Sequence, residues 1–408
     1  MKQAIQGLAG YNRTIIGCFV GFIVQAIVNN FAPLLFLTFQ SSYGIPLSQI
    51  TVLVTVNFGV QLLVDAAAIS FVDRIGYRTS MILAHVMAAA GLVALTILPD
   101  AVGDPFIGFL LAVIIYAIGG GLLEVLVSPV MESCPTPNKE KAMSLLHSFY
   151  CWGYVAVVAV STLFFSLVGI GNWKILALIW AVIPVANAIV FVRAPIAPLI
   201  DDSQQPMAPR VLFKQRFFWI LVVMMVCAGA SEQSVSQWAS TFAETGLGVS
   251  KSVGDLAGPM SFAIMMGLAR AFYGRFGHRI DLSRFMTVSA ALCVGAYLLI
   301  VFVPVPAIGL LGCALTGCAV GIMWPGTFSQ AAAAIKGGGT AMFALLALAG
   351  DLGCSAGPTL VGLVSSQFGD NLKTGVLAAI VFPLVLLMAL RFAKPHRGIS
   401  KSGACLGL

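Results

Sequence analysis

Long apolar segments, repeated along the whole chain, constrain this sequence more than any other feature. A helix needs roughly 20 mostly apolar residues to cross the hydrocarbon core of a bilayer. We expect twelve such spans, at 13–38, 47–72, 79–98, 106–131, 142–168, 174–193, 215–243, 252–273, 283–303, 306–330, 339–367 and 373–393. Only 9% of the 408 residues are charged, against about 25% in soluble domains. The sequence therefore excludes a soluble enzyme and predicts an all-α polytopic membrane protein.

The basic residues indicate how these spans are oriented. If both termini share one side, 18 Lys and Arg residues lie there and 3 lie opposite, namely Lys174, Lys251 and Lys373. The positive-inside rule then predicts cytoplasmic termini. We expect a multi-pass protein of the plasma or inner membrane. The net charge of +7 is explained by this topology and gives no support to nucleic-acid binding.

The two halves of the chain resemble each other. Segment 73–78 (DRIGYR) recurs as 274–279 (GRFGHR), 201 residues later, and Ala142-Met143 recurs 199 residues later. A polar, proline-rich connection lies at the midpoint. We expect an N-terminal six-helix bundle at 1–193, a cytoplasmic linker at 194–213 and a C-terminal six-helix bundle at 214–408. We also expect a monomer.

Segment 73–78 resembles the signature loop G-x-x-x-D-R-x-G-x-R of the major facilitator superfamily, with Ile69 in place of the leading glycine. Together with the two halves, this resemblance implies the major facilitator fold. In that fold, 12 transmembrane helices form two pseudo-symmetric six-helix bundles with the site at the midplane between them. The resemblance also implies a gate formed by Asp73, Arg74, Arg78, Arg275 and Arg279.

Three other segments resemble the fucose:proton symporter family. Residues 121–129 (GLLEVLVSP) are similar to its G-x-x-E-x-x-x-N-P, with Ser128 replacing Asn. Residues 229–236 (GASEQSVS) and 322–329 (IMWPGTFS) are similar to its motifs on helices 7 and 10. Pro33 stands where those symporters carry an acidic residue on helix 1. The resemblance implies symport of a sugar with protons, without a carboxylate on helix 1.

Carboxylates inside predicted spans are the strongest functional candidates, because a charge at the bilayer centre costs roughly 2.5 to 3.5 kcal/mol. We predict that Glu124 and Asp351 are proton-coupling residues. A structural hydrogen bond is the alternative for Glu124, and substrate contact is the alternative for Asp351. For Asp65 we favour a structural or gating role.

Helix 7 has the densest polar group, with seven polar residues between 231 and 240. Lipid cannot satisfy so many donors and acceptors, so this helix must face protein or water, and helix–helix contact is the alternative to substrate binding. Its amides and carboxylate beside an aromatic ring suit a polyhydroxylated solute. We predict substrate binding by Gln25, Asn29, Asn30, His147, Glu232, Gln233, Gln237, Trp238 and Trp324. For His147, proton relay and a satisfied core position are equal alternatives.

We predict a secondary active transporter that moves a small polar solute, a sugar, by proton symport with alternating access. Its expected partners are the solute, H⁺ and the lipid bilayer, with no cofactor and no metal. An enzyme is not expected, because no nucleophile elbow, phosphate loop or metal motif is found in the sequence. An exporter of an amphipathic metabolite or drug is the alternative within transport. A non-transporting membrane sensor or enzyme is the alternative outside it.

Overall fold

The computed structural model describes residues 2–135, 139–196, 209–335 and 339–393. Within these ranges, 12 helical segments are long and apolar enough to cross a membrane, as the sequence predicts. We number them α1 to α12. Uninterrupted helices are α2 (Leu47–Ile75), α3 (Tyr77–Ala101), α4 (Pro105–Ser133), α5 (Lys139–Val168), α6 (Trp173–Arg193), α9 (Leu282–Phe302) and α11 (Gly339–Gln367).

The other five segments contain a break or a change of helix type. Their bounds are α1 (Lys2–Asn30, Ala32–Leu35, Phe36–Tyr43), α7 (Arg216–Ser236, Ala239–Thr241, Phe242–Gly246), α8 (Lys251–Asp255, Leu256–Met260, Ser261–Phe276), α10 (Pro306–Val320, Met323–Ala334) and α12 (Leu372–Ala379, Val381–Phe392).

Helix contacts repeat with a shift of six helices. In the first half α1 packs on α5, α2 on α4, and α3 on both α4 and α6. The second half has the equivalent contacts of α7 with α11, α8 with α10, and α9 with both α10 and α12. The halves meet through α2–α11 and α5–α8, which are themselves equivalent pairs. The prediction of two pseudo-symmetric six-helix bundles is therefore confirmed.

The connection between the halves starts as predicted, because α6 ends at Arg193. Inside the range assigned to the linker, Pro209–Leu212 forms one helical turn. Residues 197–208 lie outside the described part of the chain. The bundle limits at 1–193 and 214–408 stay a prediction.

Small residues allow α7 and α11 to pack backbone against backbone. A side chain at Gly353 would overlap the carbonyl oxygen of Val226, and one at Gly357 would overlap that of Ala230. Such contacts between small residues are typical of helix pairs in membranes, where close approach adds van der Waals packing. This pair fixes the positions of Glu232 on α7 and Asp351 on α11.

Two proline-related breaks free backbone carbonyl groups for other partners. A proline has no N–H, so the carbonyl four residues before it loses its helical donor. Pro33 leaves the carbonyl of Asn29 without that donor near the break in α1. Pro325 does the same to Gly321 at the break in α10, next to the Trp324-Pro325 pair. Both carbonyls accept side-chain hydrogen bonds in the site described below.

Candidate functional site

Three carboxylates from three helices converge between the halves. Asp65 lies on α2, Glu124 on α4 and Asp351 on α11, and one oxygen from each lies within 4.8 Å of the other two. Asp65 and Asp351 are 7% and 5% exposed, and Glu124 is partly exposed. Because α2 and α4 belong to one half and α11 to the other, the cluster joins the two halves. Asp351 interacts with both Asp65 and Glu124.

The packing of α2 against α4 brings Glu124 to this cluster. A Cβ atom on Gly121 would lie 3.0 Å from the Cα of Gln61, so there is little space between these helices for a larger residue. Nε2 of Gln25, on α1, donates a hydrogen bond of 2.8 Å to Oε2 of Glu124. Within the described residues, neither carboxylate oxygen of Asp65 has a hydrogen-bond partner. The cluster therefore keeps free acceptor capacity for a proton or another cation.

A network of amides extends from the cluster across the interface. Nε2 of Gln61 donates to Oδ1 of Asn29 at 2.8 Å and to Oδ1 of Asn57 at 3.1 Å. From the other half, Nε2 of Gln237 donates to the carbonyl oxygen of Asn29 at 3.2 Å, the group that Pro33 leaves without a helical donor. The same nitrogen lies 3.1 Å from Oε1 of Gln233. Two predicted substrate residues of α7 are thus held by polar contacts to α1 and to each other.

Asn30, also predicted to bind substrate, is buried beside the interface. Its Nδ2 donates to the carbonyl oxygen of Ala26 at 2.9 Å and to the hydroxyl of Tyr150 on α5 at 3.4 Å. Tyr150 is partly exposed. The amide of Asn30 is therefore hydrogen-bonded to a side chain that borders the space between the halves.

An ion pair forms the second charged group of the site. Nη2 of Arg270, on α8, lies 3.7 Å from Oε2 of Glu232 on α7. Nε of Arg270 donates to the carbonyl oxygen of Gly321 at 3.2 Å, the group that Pro325 leaves without a helical donor. The break in α10 therefore fixes the guanidinium group in place. The packing of Gly229 of α7 against Gly350 of α11 brings the helix that carries Glu232 beside the helix that carries Asp351.

The three aromatic candidates occupy different environments. Trp238 is 1% exposed, and its Nε1 donates to the carbonyl oxygen of Pro358 at 3.0 Å, so it joins α7 to α11 in this conformation. Trp324 is partly exposed and packs against Gly350, beside Asp351. His147 is exposed, with its ring centroid 5.3 Å from that of Phe22.

The halves are held together at one end of the bundle. We call this the distal end, opposite the terminal end where α1 begins and α12 finishes. Near the distal end, the hydroxyls of Thr55 on α2 and Thr359 on α11 lie 2.6 Å apart. A side chain at Gly362 would overlap Thr51. Farther toward the terminal end, His147 and Glu124 are reached by solvent. The structure is therefore closed at the distal end.

Lys251, at the start of α8, strengthens the distal closure. Its Nζ donates to the carbonyl oxygen of Leu34 in the other half at 2.7 Å, and it pairs with Glu244 at 3.3 Å and Asp255 at 3.1 Å. Thr162 of α5 donates to Asp255 at 3.4 Å. This group ties both halves together through charge-assisted hydrogen bonds.

The predicted gating residues lie at the terminal end, around the loops after α2 and α8. Arg78 donates to the carbonyl oxygen of Val192 at 2.7 Å, so it caps the end of α6. Arg74, Arg275 and Arg279 are exposed, and the side chain of Asp73 lies outside the described part of the structure. The guanidinium of Arg275 lies 5.9 Å from the ring of Phe276. A gating role for these residues stays a prediction.

Twelve spanning helices in two equivalent halves, with a polar and charged site between them, define a membrane transporter built from two six-helix bundles. The family model of the Major Facilitator Superfamily matches residues 17–358. The chain belongs to this superfamily, as the sequence motifs predict. Membership of this superfamily indicates a membrane transporter.

Similar proteins support this assignment at the level of the fold. Membrane protein MosC of Rhizobium meliloti is 21% identical over 351 residues, which cover 84% of this chain and 82% of that protein. The structure of the E. coli fucose:proton symporter FucP matches with a TM-score of 0.65 at 16% identity, covering 94% of this chain and 99% of the symporter. The nucleoside transporter NupG matches with a TM-score of 0.73 at 14% identity, covering 93% and 98%.

Two parts of the site were not assigned from the sequence. No role was assigned to Arg270, and Lys251 was counted only among the three basic residues on the side opposite the termini. Asp65 was given a structural or gating role, although it completes the carboxylate cluster. The cost of burying charge applies to Asp65 and Arg270 as it does to Glu124, and that signal could have found both. Their partners depend on which helices meet, which the sequence does not state.

Proposed function

We propose that this protein is a secondary active transporter that carries a small polyhydroxylated solute, a sugar, together with protons. The observation that carries the proposal is the convergence of Asp65, Glu124 and Asp351 within 4.8 Å across the two halves. Three carboxylates this close repel one another when all are ionised, so the cluster is suited to hold a proton. Alternating access moves the halves relative to each other and changes the distances from Asp351 to the other two acids. Protonation and conformation are thereby linked.

The polar groups near the cluster support a neutral, hydroxylated solute. Asn30, Glu232 and Arg270 present amide, carboxylate and guanidinium groups. The partly exposed ring of Tyr150 contacts Asn30, and that of Trp324 packs against Gly350, beside Asp351. Hydroxyl groups both donate and accept hydrogen bonds, so they can use all three kinds of group. Aromatic rings add an apolar face against which a sugar ring can stack.

The expected topology follows from the charge distribution. We propose that the terminal end is cytoplasmic, because the topology expected from the sequence assigns 18 basic residues to the side of the termini and 3 to the opposite side. We also propose that the protein is a monomer of the plasma or inner membrane, here in an inward-open conformation. The gating assignment of Asp73, Arg74, Arg78, Arg275 and Arg279 belongs to the same proposal, because closure of the cytoplasmic end would bring these loops together.

A thermal-shift screen tests the substrate class. The purified protein in detergent is heated with hexoses, deoxyhexoses, inositols and organic acids, each at several concentrations. We expect a sugar or inositol to raise the unfolding temperature in a dose-dependent way, because a ligand at 100 times its Kd stabilises the folded state by about 2.7 kcal/mol. Stabilisation by organic acids alone would contradict the proposed class.

One feature favours the alternative of an exporter for amphipathic compounds. An apolar groove of about 290 Å³ lies between the halves, lined by Leu62 and Ala66 of α2, Trp219 of α7 and Leu348 of α11. Ala66 and Leu352, which both line it, are the sequence neighbours of Asp65 and Asp351, and a compound dissolved in lipid could occupy it. Adding the lipophilic cation tetraphenylphosphonium to the same screen separates the two proposals. Stabilisation by this cation and by no sugar would favour the exporter.

A further inference from the structure

Arg270 and Glu232 are close but do not form a direct hydrogen bond. Their nearest atoms, Nη2 and Oε2, are 3.7 Å apart, and their side chains are 18% and 11% exposed. A charge-assisted N–H···O bond is about 2.8 Å long. Both atoms therefore keep hydrogen-bonding capacity that the ion pair itself does not use.

The other partners of the guanidinium are mostly weak acceptors. Nη1 of Arg270 contacts Sγ of Cys151 at 3.3 Å, and Nη2 contacts Sδ of Met266 at 3.7 Å. Sulfur accepts hydrogen bonds weakly, while a guanidinium has five N–H donors. The single oxygen acceptor among its described hydrogen bonds is the carbonyl of Gly321, bound by Nε. The two Nη groups are therefore free to exchange a sulfur contact for a stronger oxygen acceptor.

Glu232 is anchored through one oxygen only. Its Oε1 accepts from Nε2 of Gln233 at 3.4 Å, and the amide chain continues through Gln237 to the backbone of Asn29. Oε2 is the oxygen that faces Arg270. The hydrogen bond to Oε1 therefore orients the carboxylate so that Oε2 faces the guanidinium of Arg270.

We propose that Arg270 and Glu232 together bind one hydroxyl group of the solute. The hydroxyl oxygen accepts a hydrogen bond from Nη2 of Arg270, and its hydrogen is donated to Oε2 of Glu232. An oxygen about 2.8 Å from each atom fits beside a pair that is 3.7 Å apart. This inference rests on the proposed function and assigns Arg270 as a specificity-determining residue.

The chemistry of the pair selects for a neutral hydroxyl. A solute carboxylate would bind Arg270 but be repelled by the negative charge of Glu232. A solute ammonium would bind Glu232 but be repelled by the positive charge of Arg270. A hydroxyl group serves both, because it donates and accepts. Gly229, three residues before Glu232 on α7, packs against the carbonyl oxygen of Gly350, the sequence neighbour of Asp351, so this contact lies near the coupling carboxylates. A solute bound here therefore lies where protonation of the cluster can influence it.

The test measures affinity for the sugar or inositol that stabilises the protein most in the thermal-shift screen, and for its monodeoxy analogues. Calorimetry is performed on the unmodified protein and on Glu232→Gln, Arg270→Gln and the double variant. We expect each variant to bind the parent compound at least about tenfold more weakly, since a buried hydrogen bond to a charged partner is lost. The monodeoxy analogue that lacks the bound hydroxyl should bind the unmodified protein as weakly as the variants bind the parent compound. Its affinity should not fall further in the variants.

Controls separate binding from folding. Arg284→Gln changes an exposed arginine and should bind the parent compound normally. The double variant leaves no unpaired charge, so a loss of affinity at an unchanged unfolding temperature is a loss of contact and not of structure. Unchanged affinity of the variants for a sugar that stabilises the protein would overturn the inference and leave the proposed function standing. If no sugar or inositol binds the unmodified protein, both fail.

Discussion

Replacing Glu124 with Gln should abolish uphill accumulation of the solute while leaving exchange across the membrane intact. Gln has the size of a protonated Glu and no charge to gain, so Glu124→Gln resembles the protonated carrier at every pH. The loaded protein can then change conformation and exchange labelled for unlabelled solute. Because Gln cannot release a proton, the proton gradient no longer drives net transport. The internal solute concentration should rise only to the external value.

The measurement is paired counterflow and gradient-driven uptake in proteoliposomes. Glu132→Gln is the matched control, because Glu132 lies on the same helix and is exposed, and it should accumulate solute as the unmodified protein does. Intact accumulation in Glu124→Gln would refute its coupling role and make Asp351 or Asp65 the next candidate. Loss of counterflow as well would assign Glu124 to substrate binding or structure instead.

Replacing Gly362 with Val should nearly stop transport by preventing closure of the distal end. Gly362 lies on α11 where a side chain would overlap Thr51 of α2, close to the contact between Thr55 and Thr359. Overpacking a tight contact typically costs 1–3 kcal/mol. Here the cost falls on the distally closed conformation, because this contact joins the two halves and not two helices of one half. A transporter that cannot close one end cannot complete its cycle.

Gly59→Val is the matched control for this prediction. Gly59 lies on α2, and a side chain there would meet no atom within 4 Å. We expect uptake by Gly59→Val to match the unmodified protein and uptake by Gly362→Val to fall at least about tenfold, with both variants folded in detergent. Normal uptake by Gly362→Val would mean that this contact does not form the distal closure.

The sequence predicted the spans well because their signal is local. Each span is a run of apolar residues whose length is set by the bilayer, and the expected limits of α2 and α11 begin at the observed residues 47 and 339. The breaks were harder to predict. The span expected at 13–38 is interrupted after Asn30, and that expected at 215–243 changes conformation after Ser236. Such breaks depend on partners from other helices, as the bond from Gln237 to Asn29 shows.

The site was predicted in its residue types but not in its arrangement. The energetic cost of buried charge pointed to Glu124 and Asp351, and the structure brings them together with Asp65. The polarity of α7 was attributed to substrate contact, yet Trp238 is enclosed between α7 and α11 in this conformation. A helical pattern shows that a polar face avoids lipid. It cannot show whether that face meets a solute or another helix, since both satisfy the same hydrogen bonds.

Proton coupling through the Asp65–Glu124–Asp351 cluster is tested most directly by measuring whether solute entry carries protons with it. The sugar or inositol identified by thermal shift is added outside proteoliposomes that contain a pH-sensitive dye and have no imposed gradient. We expect the interior to acidify as the solute enters through the unmodified protein, and we expect Glu124→Gln to admit solute without acidification. Solute entry with no proton movement, or equal acidification by Glu124→Gln, would contradict proton coupling through this cluster.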